Sequence, residues 1–381
     1  MTTPMTTPTA HPRAGHSLPH RPRLAPGLPV LALALLLAPI SGLPAAAQEA
    51  GSVASPAAPI PGHERIDIPA PLRGAPLKAS VWYPTQGRTY RAPVGDNAIF
   101  IGAPAYMGAP YPAGKLPLVL ISHGSGGNID GLSWLANGLT AQGFIVAGVN
   151  HPGSTSGDSS PRRSVRHWER AQDVRALLDG LLAEPELGPH IDTSRISVLG
   201  FSLGGVTAMT LAGARPDRDA FARYCAVPAE GKKDCLFFSK GGVAFNELPK
   251  EPFEQDLRDP RLSKVVAVDP AMAKVYTPES LKGITVPVEV ISLGDPVWEA
   301  VEVGPTGGNF AARIPHFVHE TIAPADHYSF LALCKPAAPE LLKAEGEDPI
   351  CADPVGADRA EVHRQVIERA GRFLSAAAPG N

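Results

Sequence analysis

The chain has 381 residues, of which 44% are hydrophobic, and its 34 Lys and Arg residues nearly balance its 37 Asp and Glu residues, giving a formal net charge of -3. The sequence has no stripe of basic residues, so we expect no nucleic-acid partner. The length exceeds that of a usual domain, but one α/β unit with insertions can reach it.

The N-terminal 47 residues have the pattern of an export signal. Three arginines precede an apolar run at residues 28–37, and three alanines at residues 45–47 follow it. This order is typical of a secretory signal peptide and predicts cleavage near Ala47. The apolar run is short for a membrane span, so we expect no stable membrane anchor. The protein is therefore predicted to be exported, to the periplasm or out of the cell.

Residues 48–62 are rich in Ala, Pro, Gly and Ser and are predicted to be a flexible lead-in to one domain at residues 63–381. The β-type runs at residues 64–68 and 77–83 predict an antiparallel pair at one edge of a sheet. The following segment, residues 84–116, carries many Pro and Gly residues without periodicity. It is predicted to be a long surface loop.

Apolar strands and amphipathic helices alternate from residue 117 onward. Strands that are apolar throughout are typical of a parallel sheet buried on both faces. The predicted strands are residues 117–122, 144–149, 196–199, 264–268, 287–293 and 317–322, and the predicted helices are residues 132–139, 168–182, 203 to about 214, and 359–374. This order predicts a mostly parallel, doubly wound sheet with its site at the carboxyl ends of the strands.

Residues 215–262 break the alternation and are predicted to be a cap-like insertion. They contain Cys225 and Cys235; Cys334 and Cys351 lie near the C-terminus. An even count after an export signal favours disulfides, and three pairings are possible. Closure of short loops favours Cys225 with Cys235 and Cys334 with Cys351. The cysteines lack the spacing of a zinc site, so no metal is expected.

The pentapeptide GFSLG at residues 200–204 stands between an apolar strand and an Ala- and Leu-rich helix. Strand, Gly-x-Ser-x-Gly and helix in this order form the nucleophile elbow of the α/β-hydrolase fold. The glycines let strand and helix approach closely, while a strained turn lifts the serine above the sheet. Ser202 is therefore predicted to be a nucleophile; the alternative is an ordinary glycine-rich turn.

A serine hydroxyl needs a base to take its proton, and in this fold the acid and then the histidine follow the serine along the chain. His327 follows the last predicted strand, where the base belongs. Its rivals His316 and His319 lie before and within that strand. We expect both to point into packing or solvent.

Two aspartates compete to orient the imidazole. Asp269 ends the strand after the elbow unit, and Asp295 ends the next one, which is the commoner position in this fold. Asp295 follows its strand after a single glycine and precedes Pro296, which leaves little chain to aim its carboxylate. Asp269 is preferred, and Asp295 remains the alternative acid.

A tetrahedral intermediate needs N–H donors for its oxyanion, each worth about 3–4 kcal/mol. One predicted donor is the backbone N–H of Leu203, directly after the nucleophile. The other is the N–H of Ser125, in the glycine-rich loop after the first parallel strand. His123 in that loop is interpreted as a structural hydrogen-bonder. His151, at the end of the next strand, either lines the pocket or belongs to a plain polar loop.

The sequences SHGSGG, GFSLGG, VDPAM and ADHYSFL, in this order, resemble secreted bacterial α/β hydrolases of the dienelactone-hydrolase-like type, which are similar to platelet-activating-factor acetylhydrolases. The resemblance covers most of residues 64–375 and is loosest in the insertion. In such acetylhydrolases the acid follows the strand just after the elbow unit, which implies Asp269. Dienelactone hydrolases use a cysteine nucleophile; this chain has Ser202, so their substrate is not implied.

These features predict a serine esterase that cleaves small carboxylic esters, short-chain or lipid-like, through an acyl-enzyme and without a cofactor. Phe237 and Phe238 of the insertion are expected to lie over an acyl chain. One alternative is a polyester or cutin-type hydrolase, but such enzymes tend to have open grooves. Another is a catalytically inert binding protein with this fold, which the complete triad argues against.

Overall fold

The computed structural model describes residues 58–227 and 229–377. The predicted signal peptide at residues 1–47 and the first ten residues of the lead-in, 48–57, lie outside the described residues. Within the described ranges, no helix combines the length and apolar character that crossing a membrane requires.

The described residues contain twelve strands. They are β1 (Gly62–Ile68), β2 (Leu77–Tyr83), β3 (Arg91–Val94), β4 (Ala103–Met107), β5 (Leu116–Ser122), β6 (Ile145–Val149), β7 (Ser154–Thr155), β8 (Asp158–Ser159), β9 (Ile191–Phe201), β10 (Leu262–Val268), β11 (Val288–Leu293) and β12 (Phe317–Ile322). Ten of them form one sheet in the order β12-β11-β10-β9-β5-β6-β2-β1-β4-β3. The strands from β12 to β6 in that order are parallel, so their carboxyl ends meet at one edge.

Over the same described ranges, ten α-helices connect or flank these strands. They are α1 (Ser133–Thr140), α2 (Pro161–Ser164), α3 (His167–Ala183), α4 (Leu203–Ala212), α5 (Arg218–Cys225), α6 (Lys233–Lys240), α7 (Lys250–Glu254), α8 (Pro278–Lys282), α9 (Ala338–Glu345) and α10 (Arg359–Ser375). The predicted doubly wound, mostly parallel sheet is confirmed.

Alternating side chains of each strand enter two separate cores. Leu118 and Leu120 of β5 pack with α3 and α4 on one face. Val119 and Ile121 of the same strand pack with α1 and α10 on the other face. Both faces are therefore covered, which is why the strand is apolar from Leu116 to Ile121.

The interpretation of residues 84–116 as a loop is wrong, because β3 and β4 lie within them. Both strands are short, and each contains one proline, Pro93 in β3 and Pro104 in β4. Because proline has no N–H to donate to a neighbouring strand, these residues obscured the strand pattern in the sequence. Pro104 is tolerated because β1 pairs with β4 only at Tyr106 and Met107. The antiparallel pairing of β1 with β2 is observed, but β4 and β3 extend the sheet beyond that pair, so it does not form the edge.

Both favoured disulfides are confirmed. Cys225 is bonded to Cys235, and Cys334 to Cys351. The first links α5 to α6 within residues 215–262, whose described part contains the three short helices α5, α6 and α7. The second closes the segment that precedes α10.

One acidic side chain is buried in the face covered by α10. Glu289 of β11 is 1% exposed, and its Oε2 atom has no hydrogen-bond partner among the described residues. Burial, reinforced by the neighbouring Glu320, raises the pKa of Glu289 to about 8, although Arg369 and Arg372 act in the opposite direction.

This raised pKa makes stability pH-dependent. Between the ordinary glutamate value of 4.5 and about 8, the folded state holds a proton that the unfolded state has lost. The free energy of unfolding therefore falls as pH rises through that window. We expect Glu289→Gln to raise the melting temperature by roughly 2–4 °C at pH 8.5 and to change it little at pH 5. Thermal melts at both pH values test this. The exposed Glu347→Gln is the control, and an equal effect at both pH values would contradict the explanation.

Candidate active site

Ser202 sits at a turn whose flanking glycines, Gly200 and Gly204, have no room for a side chain. It has φ 56° and ψ -116°, between the end of β9 and the start of α4. A Cβ atom on Gly200 would lie 1.9 Å from the Gly204 carbonyl oxygen, and one on Gly204 would lie 1.9 Å from the Ser122 carbonyl oxygen. Only glycine fits either position, because the strand and the helix approach each other as closely as predicted.

The side chains of Ser202, His327 and Asp269 form one hydrogen-bond chain. The Ser202 Oγ lies 3.0 Å from His327 Nε2, and His327 Nδ1 lies 2.9 Å from Asp269 Oδ2. The other carboxylate oxygen, Oδ1, accepts the Leu293 N–H at 2.9 Å. Asp269 is fully buried, and His327 is 8% exposed.

The strand ends hold these groups in place. The Ser202 N–H donates to the Val268 carbonyl at 2.9 Å, which ties the elbow to the end of β10. Asp269 follows at φ 43°, and its own N–H donates to the Ile291 carbonyl of β11 at 3.0 Å. His327 begins a 3-10 helix whose first turn is closed by a capping box from Asp326. Asp326, the residue before His327, therefore has a structural role.

Two aromatic rings enclose the imidazole. Phe201 lies on one side with its ring centre 4.7 Å from that of His327, and Trp298 lies 4.5 Å away. Lys233 of the insertion places its Nζ 5.9 Å from the centre of the Trp298 ring. The insertion therefore borders the site at this lysine. Trp298 was missed in the sequence because it lies in an irregular segment with no periodic pattern.

The competing residues lie elsewhere. The Asp295 side chain is exposed, and so is His316. His319 bonds through Nε2 to the Ser292 hydroxyl at 3.0 Å. The structure therefore brings Asp269, rather than Asp295, to His327 Nδ1.

The glycine-rich loop after β5 packs against the elbow. A Cβ atom on Gly124 would lie 3.3 Å from the Ser202 Cβ, so the loop passes directly beside the serine. Ser125 follows and is exposed. Leu203 is the first residue of α4, where backbone N–H groups have no partner within the helix. Leu203 thus follows Ser202 in the chain, and Ser125 follows the glycine that lies beside Ser202 in space.

The two histidines near this loop are neutral structural groups. His123 Nδ1 donates to the Gly124 carbonyl at 2.7 Å, and its Nε2 accepts the His151 N–H at 3.3 Å. His151 is fully buried, so it does not line a pocket. Burial, with the nearby Arg170 guanidinium, holds the pKa of both histidines well below the ordinary value.

Arg170 and Asp173, which contact this loop and His151, were not found from the sequence. Both lie on α3 and are 2% exposed. Charged residues on an amphipathic helix normally face water, so the sequence pattern predicted burial only for the apolar positions of α3.

Phe237 and Phe238 do not both face an acyl site. Phe238 is 3% exposed and packs edge-on against Phe221 and Phe245 of the insertion. Phe237 is half-buried against Phe238. These rings stabilise the insertion itself.

Comparison of the sequence with known proteins finds similarities over part of the chain. A family model described as serine aminopeptidase, S33, matches residues 115–277. A cutinase of Thermobifida alba is 28% identical over 131 residues, which are 33% of this chain and 41% of that protein. A bis(hydroxyethyl) terephthalate hydrolase of Streptomyces coelicolor is 26% identical over 169 residues, 42% of this chain and 50% of that protein. The chain thus spans half or less of the length of these relatives.

The fold is shared with a solved ferulic acid esterase from Streptomyces cinnamoneus. The two structures superpose with a TM-score of 0.52 at 18% identity, over 84% of this chain and 91% of that one. With the parallel sheet and the strand–turn–helix around Ser202, these likenesses define the fold as that of the α/β hydrolases. The predicted α/β-hydrolase fold is confirmed.

The tight elbow gives a direct test. We expect Gly204→Ala to lower the free energy of unfolding by about 1–3 kcal/mol, because the new methyl group meets a backbone oxygen that cannot move aside. Gly131→Ala is the matched control, since its methyl group would meet nothing closer than 3.6 Å. Urea unfolding of both variants measures the difference. Equal stability of the two would contradict the steric account.

Proposed function

We propose that the protein is a serine esterase that hydrolyses carboxylic esters through an acyl-enzyme. The observation that carries this proposal is the continuous chain from Ser202 Oγ to His327 Nε2 at 3.0 Å and from His327 Nδ1 to Asp269 Oδ2 at 2.9 Å. Ser202 attacks the ester carbonyl while His327 takes its proton, and His327 then passes that proton to the leaving alcohol. Water, activated by the same imidazole, releases the acid.

Asp269 is proposed to hold the imidazole in one tautomer. Its buried carboxylate accepts the Nδ1 proton, which leaves Nε2 free to accept the Ser202 proton. The negative charge also stabilises the imidazolium that forms during attack. The second bond, from the Leu293 N–H, supports this assignment because it fixes the carboxylate plane.

The oxyanion of the tetrahedral intermediate is proposed to bind the N–H groups of Leu203 and Ser125. The position of Leu203 at the first turn of α4 supports the first donor, because the helix dipole there also favours negative charge. The contact of Gly124 with Ser202 supports the second, because it brings the Ser125 peptide beside the reacting atoms.

We expect small esters with short or lipid-like acyl chains as substrates, and we expect residues 215–262 to limit the entrance. The position of Lys233 near Trp298, against the ring that covers His327, supports this role for the insertion. Export to an oxidising compartment is also proposed. Two disulfides support it, since such bonds persist mainly outside the reducing cytosol.

A polyester or cutin-type hydrolase is the second candidate. The similarity to a Thermobifida alba cutinase and a Streptomyces coelicolor bis(hydroxyethyl) terephthalate hydrolase favours it. Release of soluble products from a polyester film, measured by chromatography, would support this candidate. Turnover of soluble esters with no release from the film would favour the small-ester reading.

Substitution of the triad separates these enzymes from an inert protein of the same fold. With short-chain p-nitrophenyl esters we expect Ser202→Ala to reduce turnover to background, and a fluorophosphonate probe to label the unmodified protein but not this variant. Full turnover by Ser202→Ala, or no turnover by the pure unmodified protein, would reject the proposal.

The two aspartates offer a matched pair. We expect Asp269→Asn to lower kcat by about 10⁴-fold, because the amide holds the wrong tautomer of the imidazole. Asp295→Asn should stay within about twofold of the unmodified enzyme, since its exposed side chain contributes to neither tautomer nor charge. Steady-state kinetics of both variants decide between them, and the reverse pattern would make Asp295 the acid.

A further inference from the structure

A second chain of Ser, His and Asp side chains lies beneath the loop that follows β5. The Ser122 Oγ lies 3.0 Å from His151 Nε2, and His151 Nδ1 lies 2.9 Å from Asp173 Oδ2. These distances match those of the Ser202 chain. Ser122 and His151 are fully buried and Asp173 is 2% exposed, so no ester can reach this serine.

Every proton in this buried chain has a fixed place. Both oxygens of Asp173 accept N–H groups of Arg73, each at 2.7 Å, so the carboxylate also accepts from His151 Nδ1. His151 Nε2 is then an acceptor, and Ser122 must donate its hydroxyl proton to it. This proton order is also that of the Ser202 chain, but Ser122 and His151 are sealed from solvent, so here the chain serves as a fixed anchor.

Arg170 joins this anchor to the site. Its Nη2 lies 3.3 Å from the Ser122 Oγ and also donates to the His123 carbonyl. Its Nη1 donates to the Ser154 hydroxyl, and its Nε donates to the Thr207 hydroxyl at 3.1 Å. One buried guanidinium thus holds the end of β5, the following loop, β7 and the elbow helix α4.

The bonds to carbonyl oxygens determine where the neighbouring N–H groups point. In a trans peptide the C=O and the following N–H point in opposite directions. Arg170 holds the His123 carbonyl, which orients the Gly124 N–H. The Gly124 carbonyl accepts from His123 Nδ1 at 2.7 Å and from the Gly127 N–H at 3.2 Å, which orients the Ser125 N–H away from them.

We propose that Arg170 is a positioning residue, which fixes the loop that carries the second oxyanion donor relative to the elbow that carries the nucleophile. The inference rests on the proposed esterase function and extends it to a side chain that touches no substrate. Because Thr207 lies on α4 and Ser122 on β5, loss of the guanidinium frees the two halves of the site to shift against each other.

An ammonium group cannot replace this guanidinium. The planar fork reaches acceptors on several sides with three nitrogen atoms, whereas a lysine presents a single nitrogen on a flexible stem. Asp173 provides the compensating negative charge in either case. Arg170→Lys therefore preserves the charge balance while removing most of the directed bonds.

The test compares Arg170→Lys and Arg170→Gln with Arg175→Gln. Arg175 lies on the same helix but donates to the Arg258 carbonyl, away from the loop. For p-nitrophenyl butyrate we expect both Arg170 variants to lower kcat by about 10- to 100-fold, with KM within about twofold, because an oxyanion donor acts only in the transition state. Arg175→Gln should leave kcat within about twofold of the unmodified enzyme.

A trifluoromethyl ketone gives an independent readout, because its tetrahedral adduct carries the oxyanion. We expect its inhibition constant to weaken in the Arg170 variants by the same factor as kcat/KM, at a temperature well below each variant's melting point. If Arg170→Gln does not fold, Arg170→Lys alone carries the test.

Three outcomes would overturn the proposal. An Arg170 variant with unchanged kcat would exclude the positioning role while leaving the esterase function intact. A kcat loss equal to that of Arg175→Gln would indicate a purely structural arginine. Absence of ester turnover in the unmodified protein would remove both the proposed function and this inference.

Discussion

Close contact between β9, β5 and α4 is the constraint on which the rest of the structure depends. With 1.9 Å between a Cβ on Gly204 and the Ser122 carbonyl oxygen, neither glycine of the elbow can be replaced without moving the central strands. The same contact forces Ser202 to φ 56° and turns its hydroxyl away from the sheet. Backbone strain of this kind persists only where the surroundings over-determine it, and here buried strands on both sides do so.

The polar groups of the site depend on the parallel arrangement of the strands. β10 and β11 end beside the elbow; the residue after β10 supplies a carboxylate, and the last residue of β11 supplies the N–H that orients it. The loop after β12 supplies the imidazole. Because every one of these strands runs in the same direction, residues far apart in the chain reach one edge without long connections. The Phe201 and Trp298 rings then pack against the imidazole.

Much of this could be predicted from the sequence, because continuous apolar strands and a glycine-bounded serine are strong local patterns. The positions of Ser202, Asp269 and His327 followed from their places at strand ends, and their catalytic roles stay predictions. β3 and β4 could not be predicted, because a proline in a four- or five-residue strand outweighs its weak alternation. Arg170 and Asp173 could not be predicted either, because their burial depends on partners in β5, β7 and a distant arginine.

Two Ser–His–Asp chains with nearly identical spacing therefore coexist in one small region of this protein. A search for catalytic sites by interatomic distance alone would report both. What separates them is solvent access and backbone geometry: Ser202 stands half-exposed on a left-handed turn, whereas Ser122 ends a regular strand and is fully sealed. In this protein, the same Ser–His–Asp arrangement that suits a nucleophile also suits a buried group that fixes the backbone.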